Sequence, residues 1–249
     1  MAEKRNPDAA PPLPITDFPA TRWSLVAAAG ANAAQSQASL AELCARYWYP
    51  VYAYVRRCGH EPPRADAIVR AFFNRMVEAA ASGRAGAAPG RFRDYVLAQL
   101  NACLAAGWSD APPATTGELA PPVPVALLEQ RLQLESGPRA TPEQGFRTSF
   151  AIEVLTRALQ RLRNEAAQAG RQAMLDVLEP YLTRDPAPGQ YQELAARLDM
   201  QVLSVTIAVK RLRQRYRELA DAELAETVAS SQDLETERAA LHAALRGVP

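Results

Sequence analysis

The sequence predicts an all-α protein: two helical domains joined by a Pro-rich linker, the C-terminal one with a helix-turn-helix. Three observations lead there. Apolar residues recur at steps of three and four along much of the chain, the spacing of one helix face. Runs of Val and Ile that would make buried strands are missing, and 12 Gly in 249 residues is few for a barrel or a doubly wound sheet. The 20 Pro are clustered, so they punctuate helices.

Residues 1–19 are polar and Pro-rich and read as a disordered tail. Thr21 caps a short helix through Trp23, Leu25 and Val26, ended by Gly30. Ser36 or Ser39 opens a long amphipathic run carrying Leu40, Leu43, Cys44, Tyr47, Trp48, Val51, Tyr52 and Val55. Pro50 kinks or divides it, and Arg56, Arg57 and Gly59 close it. Pro62 and Pro63 begin a helix with Ile68, Val69, Phe72, Phe73, Met76 and Val77 on its apolar face. A loop over 82–90 leads to a helix from about Phe92 to Ala106. These helices make a first domain over 20–106.

Five of the 18 residues from 107 to 124 are Pro, which marks a linker. The linker region, 107–145, holds a short helix from about Val125 to Leu134, then a break over 136–145. The second domain covers 146–249. It opens with a helix carrying Phe150, Val154, Leu155, Ala158, Leu159 and Leu162. Met174, Leu175, Val177, Leu178 and Leu182 give another, and residues 183–189 make a turn.

Gln192 to Leu219 fits a helix-turn-helix. Leu194, Leu198, Met200, Val205 and Ala208 supply the apolar offsets, and Ala195 is the small residue at the crossing. Asp199 sits at the turn, where Gly is usual, because Asp tolerates the left-handed conformation better than most residues. From Arg197 to Arg217 six bases face one acid, Asp199, a local charge of +5, whereas Glu218 to Glu237 holds seven acids and no base. The whole chain is nearly neutral, with 28 Lys and Arg against 27 Asp and Glu. That excludes a uniformly basic polyanion binder and leaves a local basic face. The competing reading is a solvated charged helix whose two charge blocks neutralise each other.

Nothing in the sequence composes a catalytic set, and the chain is read as a non-enzyme. His60 has no triad neighbours, and no Gly-rich phosphate loop is present. Cys44, Cys58 and Cys103 are odd in number and far apart, so no disulfide framework is expected. Cys58-x-His60 lacks the second pair of a zinc site; no metal and no cofactor is expected. No stretch approaches the roughly 18 apolar residues of a membrane span, and a cytoplasmic protein without membrane contact is expected.

With those residues in view, the chain resembles bacterial RNA polymerase sigma factors of the extracytoplasmic-function class, as a divergent member. The resemblance rests on TRWSLV at Thr21–Val26, LCARYWYPVYAYVRRCGH at Leu43–His60, GRFRDYVLAQL at Gly90–Leu100 and the stretch Tyr191–Leu219, four motifs in order. It implies a region-2-like first domain that docks on core RNA polymerase and melts promoter DNA. It implies a region-4-like second domain that reads the upstream promoter element, and it admits an anti-sigma factor as a further partner.

The resemblance implies a polymerase-binding face at Asp66, Arg70 and Asn74, which step by four, backed by Phe72 and Phe73. The competing reading is a solvated face over a core pair. Arg91, Arg93, Asn101 and Trp108 lie where the family contacts the melted promoter element; for Trp108 the alternative is a packing aromatic. In the second helix of the helix-turn-helix, Ser204, Thr206, Lys210 and Arg211 are expected toward DNA, flanked by Arg213. Three departures from the family pattern stand out. Arg70 sits where an uncharged polar residue is usual, no base occurs between Arg93 and Arg131, and apolar Val202 and Leu203 open the recognition helix. Two functions follow: a working sigma factor, or a degenerate sigma-like regulatory module that binds DNA or protein without full initiation activity.

Overall fold

The computed structural model describes residues 21–27, 33–81, 90–108, 119–135 and 141–245, and it is all-α. The expected tail and Gly30, most of the 82–90 loop and residues 109–118 of the linker lie outside the described residues. The helices are α1 (Arg22–Ala27), α2 (Ala33–Arg57), α3 (Pro62–Ala81), α4 (Phe92–Cys103) and α5 (Val125–Glu135). They continue as α6 (Pro142–Gln168), α7 (Gln172–Leu178), α8 (Gln190–Leu198), α9 (Val202–Ala225) and α10 (Ser231–Leu245). A π-helical turn, Leu104–Trp108, extends α4, and a 3₁₀ turn, Glu179–Tyr181, extends α7. Among the described residues the only extended pairing is an isolated bridge between Arg91 and Val228.

Several boundaries differ from expectation. The α2 helix starts at Ala33, ahead of both candidate caps, and Ser39 is buried inside it. Pro50 lies within α2 without dividing it. The α6 helix starts at Pro142, inside the expected break. Thr141 accepts from the Gln144 amide while the Gln144 side chain accepts from the Thr141 amide, a capping box that stops the chain turning away here. Inside α6, Gly145 leaves room for Arg57 of α2, whose Cδ would lie 2.5 Å from an added Cβ.

The expected division into two domains does not separate two cores. Buried residues of α1–α6 join Leu219 and Leu224 of α9 and Leu241 of α10 in one cluster. Its centre is α2, buried on nearly every side: Tyr49, Ala53 and Tyr54 are as covered as the predicted face, because α3 packs on one flank and α6 on another. Tyr47 sits edge-on to Phe92 at 4.9 Å and stacks on Phe150 at 4.9 Å, so one ring ties α2, α4 and α6 together. A smaller second cluster holds Leu178, Tyr181, Leu194, Ala195, Val205 and Val209. The long α9 joins the two: its first half packs in the small cluster and its second half in the large one.

The acidic block is the seam of this packing. Glu223 pairs with Arg46 of α2 and with Arg161 of α6. Glu237 of α10 lies 3.1 Å from Arg93 of α4. The Trp23 amide donates to the Glu226 carbonyl, the Phe92 amide to the Thr227 carbonyl, and Thr21 Oγ1 to the Val228 carbonyl at 2.6 Å. Glu223, Glu226 and Glu237 therefore serve arginines of distant helices and not the neighbouring basic run, whereas Asp221 pairs with Arg238 of α10 and Glu218 with Arg215.

Candidate functional site

Helices α8 and α9 meet across a three-residue turn. Asp199 adopts φ 51° and ψ 49°, the one positive φ among the described non-Gly residues, and Gly189 sets the other end of α8 at φ 88°. The Met200 amide donates to the Ala195 carbonyl at 2.9 Å, so the turn is closed by the chain itself. Leu194 and Ala195 pack on Val205 and Val209 beneath it. Val205 and Val209 are buried and Ala208 and Leu212 half-buried, which fixes the inward side of α9 as the sequence placed it.

The outward side carries Ser204, Thr206, Lys210, Arg211 and Arg217, all exposed. Thr206 Oγ1 donates to the Val202 carbonyl at 3.0 Å, so its hydroxyl proton is spent within the helix and only its lone pairs face outward. Arg213 does not flank this strip. Its guanidinium donates to the carbonyls of Tyr181 and Arg184 and to Asp185, pinning the turn before α8, because its position on α9 points it toward that turn. Arg215 is likewise held, by Glu165 at 2.8 and 2.9 Å and by Glu218 at 3.0 Å. Hydrogen bonds from Arg215 hold the Glu165 carboxyl below the usual carboxylate range. Val202, Leu203 and Ile207, 39%, 68% and 42% exposed, add an apolar patch to the same side.

The first-half residues are arranged differently from expectation. Trp108 is buried, with the Arg75 guanidinium 5.5 Å over its ring, so it cannot stack a base from this position; the packing alternative holds. Arg93 is buried against Glu237 and cannot reach a phosphate. Arg91 pairs with Asp94 at 2.6 Å, and exposed Asn101 accepts from Tyr54 Oη at 2.8 Å. On α3, Asp66 pairs with Arg70 at 2.7 Å, and Phe72 and Phe73 are buried behind them as expected. Asn74 is not exposed. Its side chain donates to the Leu119 carbonyl at 3.2 Å and accepts from the Leu119 amide at 3.0 Å, so the segment entering α5 covers that end of the face.

A cleft of about 490 Å³ beside the turn was missed from the sequence. It is formed by α6, α7 and α9, and its lining residues are spread from Leu162 to Arg215, so no local motif announces it. Among the described residues no three His, Cys, Asp or Glu side chains cluster to hold a metal, and no helix is long and apolar enough to cross a membrane. No family model, curated protein or solved structure matches the chain.

Proposed function

We propose that the chain is a sigma-type transcription factor that seats α9 in the major groove of promoter DNA and brings core RNA polymerase to it. The observation that carries this reading is the closed α8–α9 turn, with Ser204, Lys210 and Arg211 exposed on the helix that follows it. In this reading Lys210 and Arg211 neutralise phosphates and set the register, and Ser204 is short enough to meet a base edge or a phosphate. Leu203 and Ile207 contribute apolar contact to thymine methyl groups. Such a factor performs no covalent chemistry. It acts by differential binding, holding polymerase and DNA in one complex.

A second reading, a sigma-like regulatory module without full initiation activity, draws on the covered residues of the first half. Trp108, Arg93 and Asn74 are all engaged internally. The test uses the full chain, because the core is shared between its halves. Affinity for a promoter-length duplex is followed against salt, for wild type and for Lys210→Ala/Arg211→Ala. Loss of two phosphate contacts lowers the magnitude of the log–log slope by about 2. An unchanged slope and affinity refute DNA binding by α9. Run-off transcription with core polymerase then separates the readings: DNA binding without transcripts favours the module.

A further inference from the structure

The cleft beside the α8–α9 turn has an apolar floor and a cationic mouth. Leu162, Leu175, Leu178, Met200 and Ile207 line its interior. Four of these belong to the packed clusters or lie half-buried, and Ile207 opens to solvent, so the floor is continuous with the apolar patch on α9. Three arginines, Arg171, Arg211 and Arg215, are among the lining residues, with one acid, Glu165. That acid is consumed, since both of its oxygens accept from Arg215. Arg171 and Arg211 are exposed and make no ion pair within the described residues. The net offering of the mouth is therefore two uncommitted positive charges beside an apolar recess. Its volume, about 490 Å³, lies within the roughly 300–1,000 Å³ of small-molecule pockets.

We infer that this cleft is a binding site for a small amphipathic carboxylate, its apolar body on Leu175, Met200 and Ile207 and its head between Arg171 and Arg211. An apolar ligand without charge would leave both guanidiniums unused. A fully polar anion would leave the floor wetted. Only a molecule with both parts uses the whole cleft, and a carboxylate matches the planar fork of arginine. Binding stands on the cleft alone. One consequence rests on the DNA reading: Ser204 and Arg211 line the cleft and also belong to the outward side of α9, so an occupied cleft withdraws Arg211 from phosphate and weakens duplex binding.

Titration calorimetry on the full chain tests this with sodium octanoate, octan-1-ol and octylammonium as probes. Octanoate is expected to saturate at one equivalent, at least about tenfold tighter than octan-1-ol, with octylammonium weaker still. Arg171→Ala, which lies off the proposed DNA side, weakens octanoate about tenfold and leaves octan-1-ol and the ligand-free duplex affinity unchanged. Ile207→Glu puts a carboxylate in the floor of an exposed position and abolishes octanoate binding; circular dichroism checks that each variant keeps its helices. Equal binding of all three probes, an octanoate isotherm unmoved by Arg171→Ala, or no saturation overturns the proposal. So does a dimer in sedimentation that Ile207→Glu dissociates, because a second copy would then be the occupant. A duplex affinity unchanged at saturating octanoate overturns the coupling while leaving the DNA test of Lys210 and Arg211 intact.

Discussion

Replacing Arg93 by Met removes the ion-pair partner of Glu237 in the seam between α4 and α10 and leaves only the weaker pull of Arg91. The side chains are 8% and 0% exposed, and the closest nitrogen and oxygen are 3.1 Å apart. Among the described residues neither Glu237 oxygen has a hydrogen-bond partner, so only nearby positive charge offsets its burial, Arg93 first and Arg91 behind it. Burial already pushes the Glu237 carboxyl up, against the pull of Arg93. Removing one member of such a pair costs about 3–5 kcal/mol. That is a large part of the roughly 5–15 kcal/mol by which a domain is stable. The double variant Arg93→Met/Glu237→Met removes both charges and fills similar volume, so it should return to within about 1 kcal/mol of wild type or exceed it. Urea unfolding followed by tryptophan fluorescence and by circular dichroism gives the four free energies of the cycle. The single Arg93→Met variant has a pH signature too. Its lone carboxyl has a folded pKa above the unfolded one, so the folded state binds the proton more tightly and stability rises as pH falls through that window. A single-variant cost under about 1 kcal/mol, or additive costs in the double variant, would refute the argument that the pair is buried and mutually dependent.

The remaining predictions concern the turn, the covered face and acid stability. Asp199→Gly should raise stability by up to about 1 kcal/mol in thermal unfolding, since Gly holds φ 51° without a Cβ, whereas Asp199→Val should lower it by about 1–2 kcal/mol. Asn74→Leu removes both hydrogen bonds to Leu119 and leaves that backbone unpaired, at a cost of about 1–3 kcal/mol, with faster amide exchange at Leu119 as the local readout. Glu129, Glu165 and Glu179 are all held below the usual carboxylate range, chiefly by hydrogen bonds from Arg56, Arg215 and Arg163. Their stabilisation is complete above the unfolded carboxylate value of about 4.3 and is lost as pH falls through the lower folded values, so wild type should unfold more easily in urea below that point. Arg56→Met, Arg163→Met and Arg215→Met should each flatten the acid limb.

Periodic apolar spacing, Pro placement and turn chemistry carried most of the helices. The capping box at Thr141 and Gln144 is legible as Thr-x-x-Gln, although Pro142 and Gly145 beside it suggest a break. The all-round burial of α2 had a signal as well: Tyr47 to Val55 is apolar except for Pro50, which is too much for a helix with one wet face. The outward strip on α9 follows from helical geometry alone once Val205 and Val209 are fixed inside, which is why Ser204, Lys210 and Arg211 stand where spacing put them. Arg213, Arg93, Trp108 and Asn74 do not, because their surroundings come from segments 28, 144, 33 and 45 residues away, at Asp185, Glu237, Arg75 and Leu119.

By itself the sequence determined the helical class, the place of the α8–α9 turn and the inward face of α9. All three depend on residues within a few turns of one another, where backbone geometry fixes the neighbours. The shared core, the use of the acidic block as a seam and the cleft between α6, α7 and α9 were decided only by tertiary structure. A charge or an apolar patch does not carry the address of its partner: Glu237 could have met water, the basic run or Arg93. Which one it met depended on which helices packed side by side.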